Sequence, residues 1–552
     1  AAAVVAAAAL AGAGRWWQLH LAPSPPVTRP VVAVLPLDSV GPSPDDHLGL
    51  GMADTLVAYL AGFPSLTVVS HTAVPTGEAP GRVRRLAQEL GADYVVSGSI
   101  QRMDRRMRVT ATLVRPDESV AWGGDYEGHV DEIFSLQRRL AEGVSTALAV
   151  SLTPARRARL AQSSTRDAGA FEAYSEARAL IERPDVPGNV GRAIDGFQRA
   201  IARDRRFALA HAALGRAHWQ HYTETLAPES ARMAIDAVTE ALRLDPAQPA
   251  TRLALAVIYA GTGRSEAAVE ELRRLLELQP SSDEAHRQLG DIFAAGSRWE
   301  EAIAEHKRAV DLRPRYADNL SHLGLALMGS GRHGEAADVY RRLAELQPDN
   351  PRAYQRLGTA YHTMGDDERA LANYRRALAL GPDSKAYTNV GSIHYARGEL
   401  DQASAAFREA ARLEPGNPLA QRNLGDAYAR AGRREDAQEA YRAAVRLSEA
   451  MLRVNPKDAR ALGRLAVYEA KLGRRAAADR HAADAVALSP ADGDVIYRKA
   501  VVEALAGRPD AALGALREAL ARGFSASQAK IDDDLASLRG RAEFAAVLAA
   551  PR

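Results

Sequence analysis

His218 and His221 follow His211 by seven and ten residues, so the three imidazoles share one face of a helical stretch. Imidazoles gathered this way could bind zinc. No carboxylate is placed to complete the set, however, and His211 and His218 stand where packing aromatics would go. Packing is therefore the reading adopted, and no metal site is expected. Gly49-Leu50-Gly51 follows an apolar run and precedes a helical one, the order of a dinucleotide-phosphate loop. The third glycine of that fingerprint, which lets helix and strand pack closely, is replaced by Asp54. We read the two glycines as a turn leading into the helix. Asp532, Asp533 and Asp534 stand ahead of a helical stretch, where carboxylates cap backbone N–H groups. A calcium loop would need a glycine and a distal glutamate that this segment lacks.

Other catalytic signatures are missing. No Gly-Lys dipeptide occurs, so there is no phosphate-binding P-loop. The kinase triplets His-Arg-Asp and Asp-Phe-Gly, the hydrolase Gly-x-Ser-x-Gly and the protease His-Glu-x-x-His are absent too. With no cysteine, disulfides, thiolate metal sites and a cysteine nucleophile are excluded. The chain reads as non-enzymatic, with no cofactor.

The elements that must position any site are more legible. The 552 residues exceed one hydrophobic core, which stops growing at roughly 250–300 residues. Hydrophobic residues make up 47% and charged residues 25%, a composition that folds. The net charge of +2, with no dense basic run, leaves no electrostatic footprint for nucleic acid. Ala1 to Ala13 is wholly apolar and is followed by Arg15, Trp16 and Trp17. That is shorter than the roughly 20 residues of a membrane span, yet paired Trp beside Arg fits a membrane–water interface. We read residues 1–14 as a truncated transmembrane helix or signal remnant and 15–29 as a Pro-rich tether. The chain would then be membrane-anchored, with residues after about 18 outside the cytoplasm.

Residues 30–152 read as a small α/β domain. Val31 to Leu37 and Leu66 to Ser70 read as buried strands, Asp45 to Phe63 and Gly81 to Leu90 as helices. Tyr94 to Arg102 and Met107 to Arg115 alternate around a tight turn as a hairpin, and Trp122 and Tyr126 mark a further extended segment. A helix from Asp131 to about Val150 follows. Strands separated by helices and then a hairpin predict a mixed sheet covered by helices. The wording VAVLPLDSV…LGLGMADTLVAYL…LGADYVVSGSIQRMDRRMRVTATLV resembles the TolB-N-terminal-like domain over about 120 residues. In bacteria that domain often sits between a membrane helix and helical repeats. The resemblance implies assembly or sensing outside the cytoplasm and brings no catalytic residues.

After a linker at 153–168, periodicity dominates from 169 to 522. Pro246, Pro280, Pro314, Pro348 and Pro382 recur every 34 residues, and Pro415, Pro456 and Pro490 follow after 33, 41 and 34. Ala302, Ala336 and Ala370 keep the same ruler, as do Gly290, Gly324, Gly358, Gly391 and Gly425, each preceded by Leu or Val. Aromatics recur at Phe197, Tyr340, Tyr374, Phe407 and Tyr441. A proline after the second helix resets the chain. The small residues are expected at helix crossings, where a larger side chain costs about 1–3 kcal/mol. The glycines are expected to let the second helix approach, and the aromatics to fill the space between adjacent pairs. Gly263, Ser297, Gly331, Gly365 and their successors fit helix ends needing a left-handed residue. This pattern resembles the tetratricopeptide repeat (TPR) over roughly 350 residues. The fold class expected is mainly α: a TPR solenoid of about ten helix pairs behind a small mixed-sheet α/β domain, with 523–552 as capping helices.

Stacked TPRs expose a concave face lined by the first helix of each pair, suited to a protein or peptide ligand. The groove positions are Arg287, Asp291, Ser321, Leu325, Arg352, Gln355, Thr359, His362, Thr388, Ser392, Tyr395, Arg422 and Asp426. Arg422/Asp426 and Arg287/Asp291 have the spacing of a carboxylate clamp but read more simply as intrahelical ion pairs. A membrane helix ahead of this domain pair resembles the C-terminal half of bacterial receptor-type Ser/Thr kinases. Similar tails follow winged-helix regulators and adenylate cyclases, and a stand-alone periplasmic scaffold is a further alternative. Oligomeric state is not legible.

Overall fold

A computed structural model describes residues 29–40, 46–63, 65–70, 82–103, 106–129, 132–149, 153, 165–183, 186–246 and 248–549. The apolar N-terminal run and its tether up to residue 28 lie outside the described residues, as does most of the 153–168 linker. Among the described residues no helix is long and apolar enough to cross a membrane. Two compact units divide after Leu346.

The first unit opens with a mixed sheet of β1 (Val31–Val34), β2 (Asp38–Ser39), β3 (Thr67–Ser70), β4 (Tyr94–Met103), β5 (Arg106–Val114) and β6 (Val120–His129). Their order is β3-β1-β4-β5-β6, with β2 beside β4. β1 is parallel to β3 and β4, and β4, β5 and β6 are antiparallel. Helices α1 (Asp46–Leu60) and α2 (Arg82–Leu90) fall between the parallel strands in the chain, as crossovers must. Val32 and Val34 face a core shared with α1 and α3 (Ile133–Ala147), while Val31 and Ala33 face a smaller one closed by Leu86, Ala87 and Leu90. Burial on both faces explains why β1 is apolar throughout instead of alternating.

Five helix pairs complete this unit: α4 (Ala168–Ile181) with α5 (Asn189–Arg203), α6 (Ala208–Thr225) with α7 (Pro228–Leu244), α8 (Pro249–Gly261) with α9 (Ser265–Leu278), α10 (Asp283–Ala295) with α11 (Trp299–Leu312), and α12 (Ala317–Gly329) with α13 (His333–Leu346). The second unit carries five more: α14 (Pro351–Thr363) with α15 (Asp367–Leu380), α16 (Ser384–Ala396) with α17 (Leu400–Leu413), α18 (Pro418–Arg430) with α19 (Arg434–Val454), α20 (Ala459–Lys471) with α21 (Arg475–Leu488), and α22 (Gly493–Leu505) with α23 (Pro509–Ala521). It ends in α24 (Ala526–Ile531), a 3-10 helix (Asp533–Leu538) and α25 (Ala542–Ala549). The described residues are thus mainly helical, helix pairs that follow a small mixed-sheet domain in the chain.

Local chemistry sets the helix ends. Asn350, Asp383, Asn417 and Asp458 each accept a backbone N–H of the following helix, and Pro351 and Pro418 start theirs with a preset φ. Between the helices of a pair the backbone turns left-handed at Gly331 (φ 81) and Gly365 (φ 79), and at Ser297 (φ 57), where no glycine is present. Pro314, Pro348 and Pro382 lie in the connections between successive pairs. Ala302, Ala336, Ala370, Ala377 and Ala403 are fully buried.

The glycine ruler has a different cause from the one expected. A Cβ on Gly324 would lie 2.2 Å from Cε1 of Tyr340, and one on Gly358 2.8 Å from Cε1 of Tyr374. Gly391 faces Phe407 and Gly425 faces Tyr441 in the same way, while Gly290 faces His306. Each glycine therefore makes room for the ring of its own pair's second helix. The rings also reach the next pair, as expected, Phe407 packing with Leu424 and Tyr428, and His306 takes the slot that aromatics take elsewhere.

One sequence reading near the sheet is corrected. Gly49 and Gly51 are inside α1, not in a turn before it. A Cβ on Gly49 would strike the Leu37 carbonyl at 1.9 Å, and one on Gly51 the Ser175 Oγ at 2.1 Å. These glycines let α1 pass close to the chain after β1 on one side and to α4 on the other. The C-terminal segment is more than a polar cap, since Phe524, Leu535, Leu538, Phe544 and Val547 are buried against the last pairs.

Candidate peptide-binding groove

The second unit holds most of the predicted groove residues. On α14, Arg352 is exposed and Gln355, Thr359 and His362 are half-buried; on α16, Thr388, Ser392 and Tyr395 are half-buried as well. Gln355 Nε2 donates to Asp383 Oδ1 across 3.2 Å, and Tyr374 Oη to Thr359 Oγ1 across 3.1 Å. His362 Nδ1 lies 2.7 Å from Asp367 Oδ1. Thr388 and Ser392 turn their hydroxyls back to carbonyls one turn earlier, which leaves those surfaces small and polar.

One helix pair further on, the inner face is taken. Arg422 Nε lies 2.6 Å from Asp426 Oδ2, and Arg422 Nη2 donates to Asp534 Oδ2 at 3.1 Å. Lys471 of α20 pairs with Asp426 at 2.9 Å and with Asp534. Tyr395 Oη donates to Asp533 Oδ2 at 3.0 Å, with Arg430 Nη1 3.7 Å from the same oxygen. Tyr497 Oη donates to Asp532 Oδ2 at 2.7 Å. Of the three aspartates, Asp532 does cap, accepting the N–H of Asp534. Asp533 and Asp534 reach into the repeats, which sequence reasoning missed: their partners there lie 63 to 138 residues away, while Arg539 pairs with Asp533 locally.

The electrostatics fit a closed ionic cluster. Burial opposes the Arg422 charge, but Asp426 and then Asp534 outweigh it and hold the guanidinium more firmly protonated than usual. Lys471 is likewise raised: burial disfavours its charge, and Asp426 and Asp534 more than restore it. Burial pushes the Asp534 carboxyl upward, yet Lys471 and Arg422 bring it below its ordinary value. Burial raises the Tyr441 phenol, and Asp426, which accepts its hydrogen bond at 2.8 Å, raises it further.

In the first unit, Arg287 is 15% exposed, with Glu284 3.6 Å from its guanidinium, so it offers little open surface. Asp291 is bonded to His322 Nδ1 at 2.6 Å and lies 3.6 Å from His306 Nε2. Asp291, His306 and His322 are the described residues that could hold a metal ion, their donor atoms lying within 4.8 Å of one another. His306 is buried in its ring slot, and burial, ahead of the Asp291 charge that opposes it, brings its pKa down to about 4. The three histidines singled out in the sequence do not converge. His211 bonds the Arg205 carbonyl, His221 bonds Ser230 Oγ at 2.8 Å, and His218 is buried. Asp54, which broke the phosphate-loop pattern, is instead the anchor of α1 on α4: Arg178 Nε and Tyr174 Oη both donate to it at 2.6 Å.

Family profiles described as "Tetratricopeptide repeat" match residues 229–283, 253–317, 322–385 and 423–451, and one described as "TPR repeat" matches 391–432. These residues are tetratricopeptide repeats. Among solved structures the chain is similar to a TPR protein from Parabacteroides merdae, 16% identical, covering 47% of this chain and 99% of that one with a TM-score of 0.37. It is also similar to Pseudomonas aeruginosa pilF, 20% identical, covering 40% and 97% with a TM-score of 0.33. A curated relative named "Putative adenylate cyclase 3", from Rhizobium meliloti, is 26% identical over 265 residues. The match takes in 45% of this chain, which spans only 44% of that relative's length.

Proposed function

We propose that this chain is a non-catalytic protein-interaction module that binds a partner polypeptide along the inner face of its repeats, centred on α14 and α16. The observation that supports this most directly is the run Arg352, Gln355, Thr359, His362 and Thr388, polar and accessible on consecutive first helices. TPR arrays act as interaction scaffolds because stacked pairs present one long surface to an extended or helical ligand. A photo-crosslinking residue at Arg352 or His362 is expected to capture a discrete partner, whereas one at the exposed Arg375 of α15 is not. Equal capture at all three positions, or none at the inner two, would overturn the groove assignment.

The membrane anchor, the TolB-like character of the sheet domain and the extracytoplasmic location belong to the same proposal. They rest on the apolar start with Arg15, Trp16 and Trp17 and on the wording of residues 30–152. The sequence resemblance favours a kinase-type parent, and the name of the Rhizobium relative favours the cyclase alternative. Reading the gene upstream of Ala1 separates these: kinase motifs, a cyclase domain, a winged helix or a signal peptide. Alkaline phosphatase fused after residue 552 is expected to be active, since that enzyme works only outside the cytoplasm; an inactive, stably expressed fusion would overturn the location.

A further inference from the structure

Three cations of the repeats and three carboxylates meet between α18, α20 and the C-terminal segment, Arg422, Arg430 and Lys471 against Asp426, Asp533 and Asp534, with Arg539 of the segment itself also on Asp533. Only one of those carboxylates, Asp426, belongs to the repeats. Without the segment, Lys471 and Arg422 would share that single partner. A buried cation short of counter-charge is strongly disfavoured. The repeats alone therefore form an electropositive pocket that calls for two further negative charges.

The occupant shows what chemistry the pocket reads. Asp532 is extended (φ -67, ψ 119) and Asp533 begins a 3-10 turn, so three successive carboxylates fan onto different donors. Two tyrosine hydroxyls, Tyr497 and Tyr395, hold the first two, and Arg422 with Lys471 holds the third. Charge-assisted hydrogen bonds of this kind fix orientation as well as affinity. The tip is held by polar contacts, and Ile531 beside it is 75% exposed. Apolar anchorage flanks the tip, at Ala529 before it and at Leu535 and Leu538 after it. A cavity of about 650 Å³, lined by Ser392, Asn423 and Arg430, remains open beside the tip. The short stretch between these anchors can lift while both stay, and a longer ligand would have room to continue towards α16.

We propose that this pocket is the docking site for an acidic segment of a partner protein, with two or more consecutive Asp or Glu residues. The chain's own Asp532–Asp534 occupies it in cis as a surrogate. Partner binding and tip docking then exclude each other, so the groove is self-occupied until a sufficiently acidic ligand competes. The tip is tethered, and its effective concentration is of the order of millimolar, so weak acidic peptides are kept out. This inference rests on the groove reading above and adds to it the chemistry of the ligand.

The test is fluorescence anisotropy on the full chain with a labelled peptide of its own residues 528–538, QAKIDDDLASL, and a control with Asn at the three Asp positions. Asp533→Asn with Asp534→Asn should bind the acidic peptide at least tenfold more tightly than the unaltered chain, and the control should not bind. Adding Arg422→Gln and Lys471→Met should abolish binding. Should the doubly substituted chain lose helical circular dichroism, Asp533→Asn alone, which leaves Asp534 on Arg422 and Lys471, loosens the tip and should give a several-fold gain. The proposal is overturned if the acidic peptide binds released and unaltered chains alike, if it binds neither, or if the control binds equally well. Photo-crosslinking at Arg352 still reports on the groove in that event, so failure here is distinct from failure of the groove.

Discussion

Gly425 and Gly514 are both glycines inside helices of the second unit, and they should respond oppositely to alanine. Alanine is favoured over glycine in a helix interior by about 1 kcal/mol. A Cβ on Gly514 in α23 meets nothing within 4 Å, so Gly514→Ala should gain that amount. A Cβ on Gly425 in α18 would lie 2.6 Å from Cε1 and 2.7 Å from Cδ1 of Tyr441. That ring cannot easily swing away, because its hydroxyl is bonded to Asp426 at 2.8 Å. Overpacking costs about 1–3 kcal/mol, which cancels or exceeds the helix gain. The two variants should therefore differ by about 1–3 kcal/mol, with Gly425→Ala the less stable. Urea denaturation followed by far-UV circular dichroism reads this as opposite shifts in midpoint at a constant slope. In a Tyr441→Leu background the penalty at Gly425 should disappear, as a double-mutant cycle would show. Equal stabilisation by both alanines, or a penalty that persists without the Tyr441 ring, would refute the account of the glycine ruler. Because Asp426 also pairs with Arg422 and Lys471, moving Tyr441 should loosen the C-terminal tip too.

Asp54→Asn should destabilise the first unit by about 3–5 kcal/mol, since it leaves the Arg178 guanidinium, 4% exposed, without its main counter-charge; chemical denaturation checks this, and a loss below about 1 kcal/mol would mean the pair is not held as described. His306 has a folded pKa of about 4 against 6.5 for the free group. Below pH 6.5 the unfolded chain takes up a proton that the folded chain refuses, so stability falls as pH drops towards 4, by about 3 kcal/mol in all. The groups facing that imidazole are Asp291, His322, Arg287 and Glu305, and His306→Phe, which restores the ring found in neighbouring pairs, should flatten that slope; an unchanged slope would assign it to other groups. Ser297→Gly should stabilise by about 1 kcal/mol because Ser297, like Leu226 after α6, holds a left-handed backbone with a Cβ; calorimetry would show a raised midpoint, and a lowered one would contradict the turn geometry.

The 34-residue ruler by itself determined the repeat class, the helix pairs and their turns. Each pair spends the same residue types on the same local problems, so Pro348, Gly365 and Ala370 announce their roles from spacing alone. The sheet domain was legible for a related reason: strand and helix periods differ, and Val31–Val34, apolar throughout, marked a strand covered on both faces. Contacts between residues far apart in sequence leave no periodic trace. Nothing around Asp54 pointed to Arg178, 124 residues on. Spacing could place Gly324 and Tyr340 on one ruler, but only the packed pair decided that the glycine clears space for the ring. The same limit hid the occupied groove. Asp532 to Asp534 has the composition of a helix cap, and its first residue is one. Its reach onto Arg422 and Lys471 depends on where the buried Leu535 and Leu538 fix the returning chain, a long-range condition set by tertiary packing.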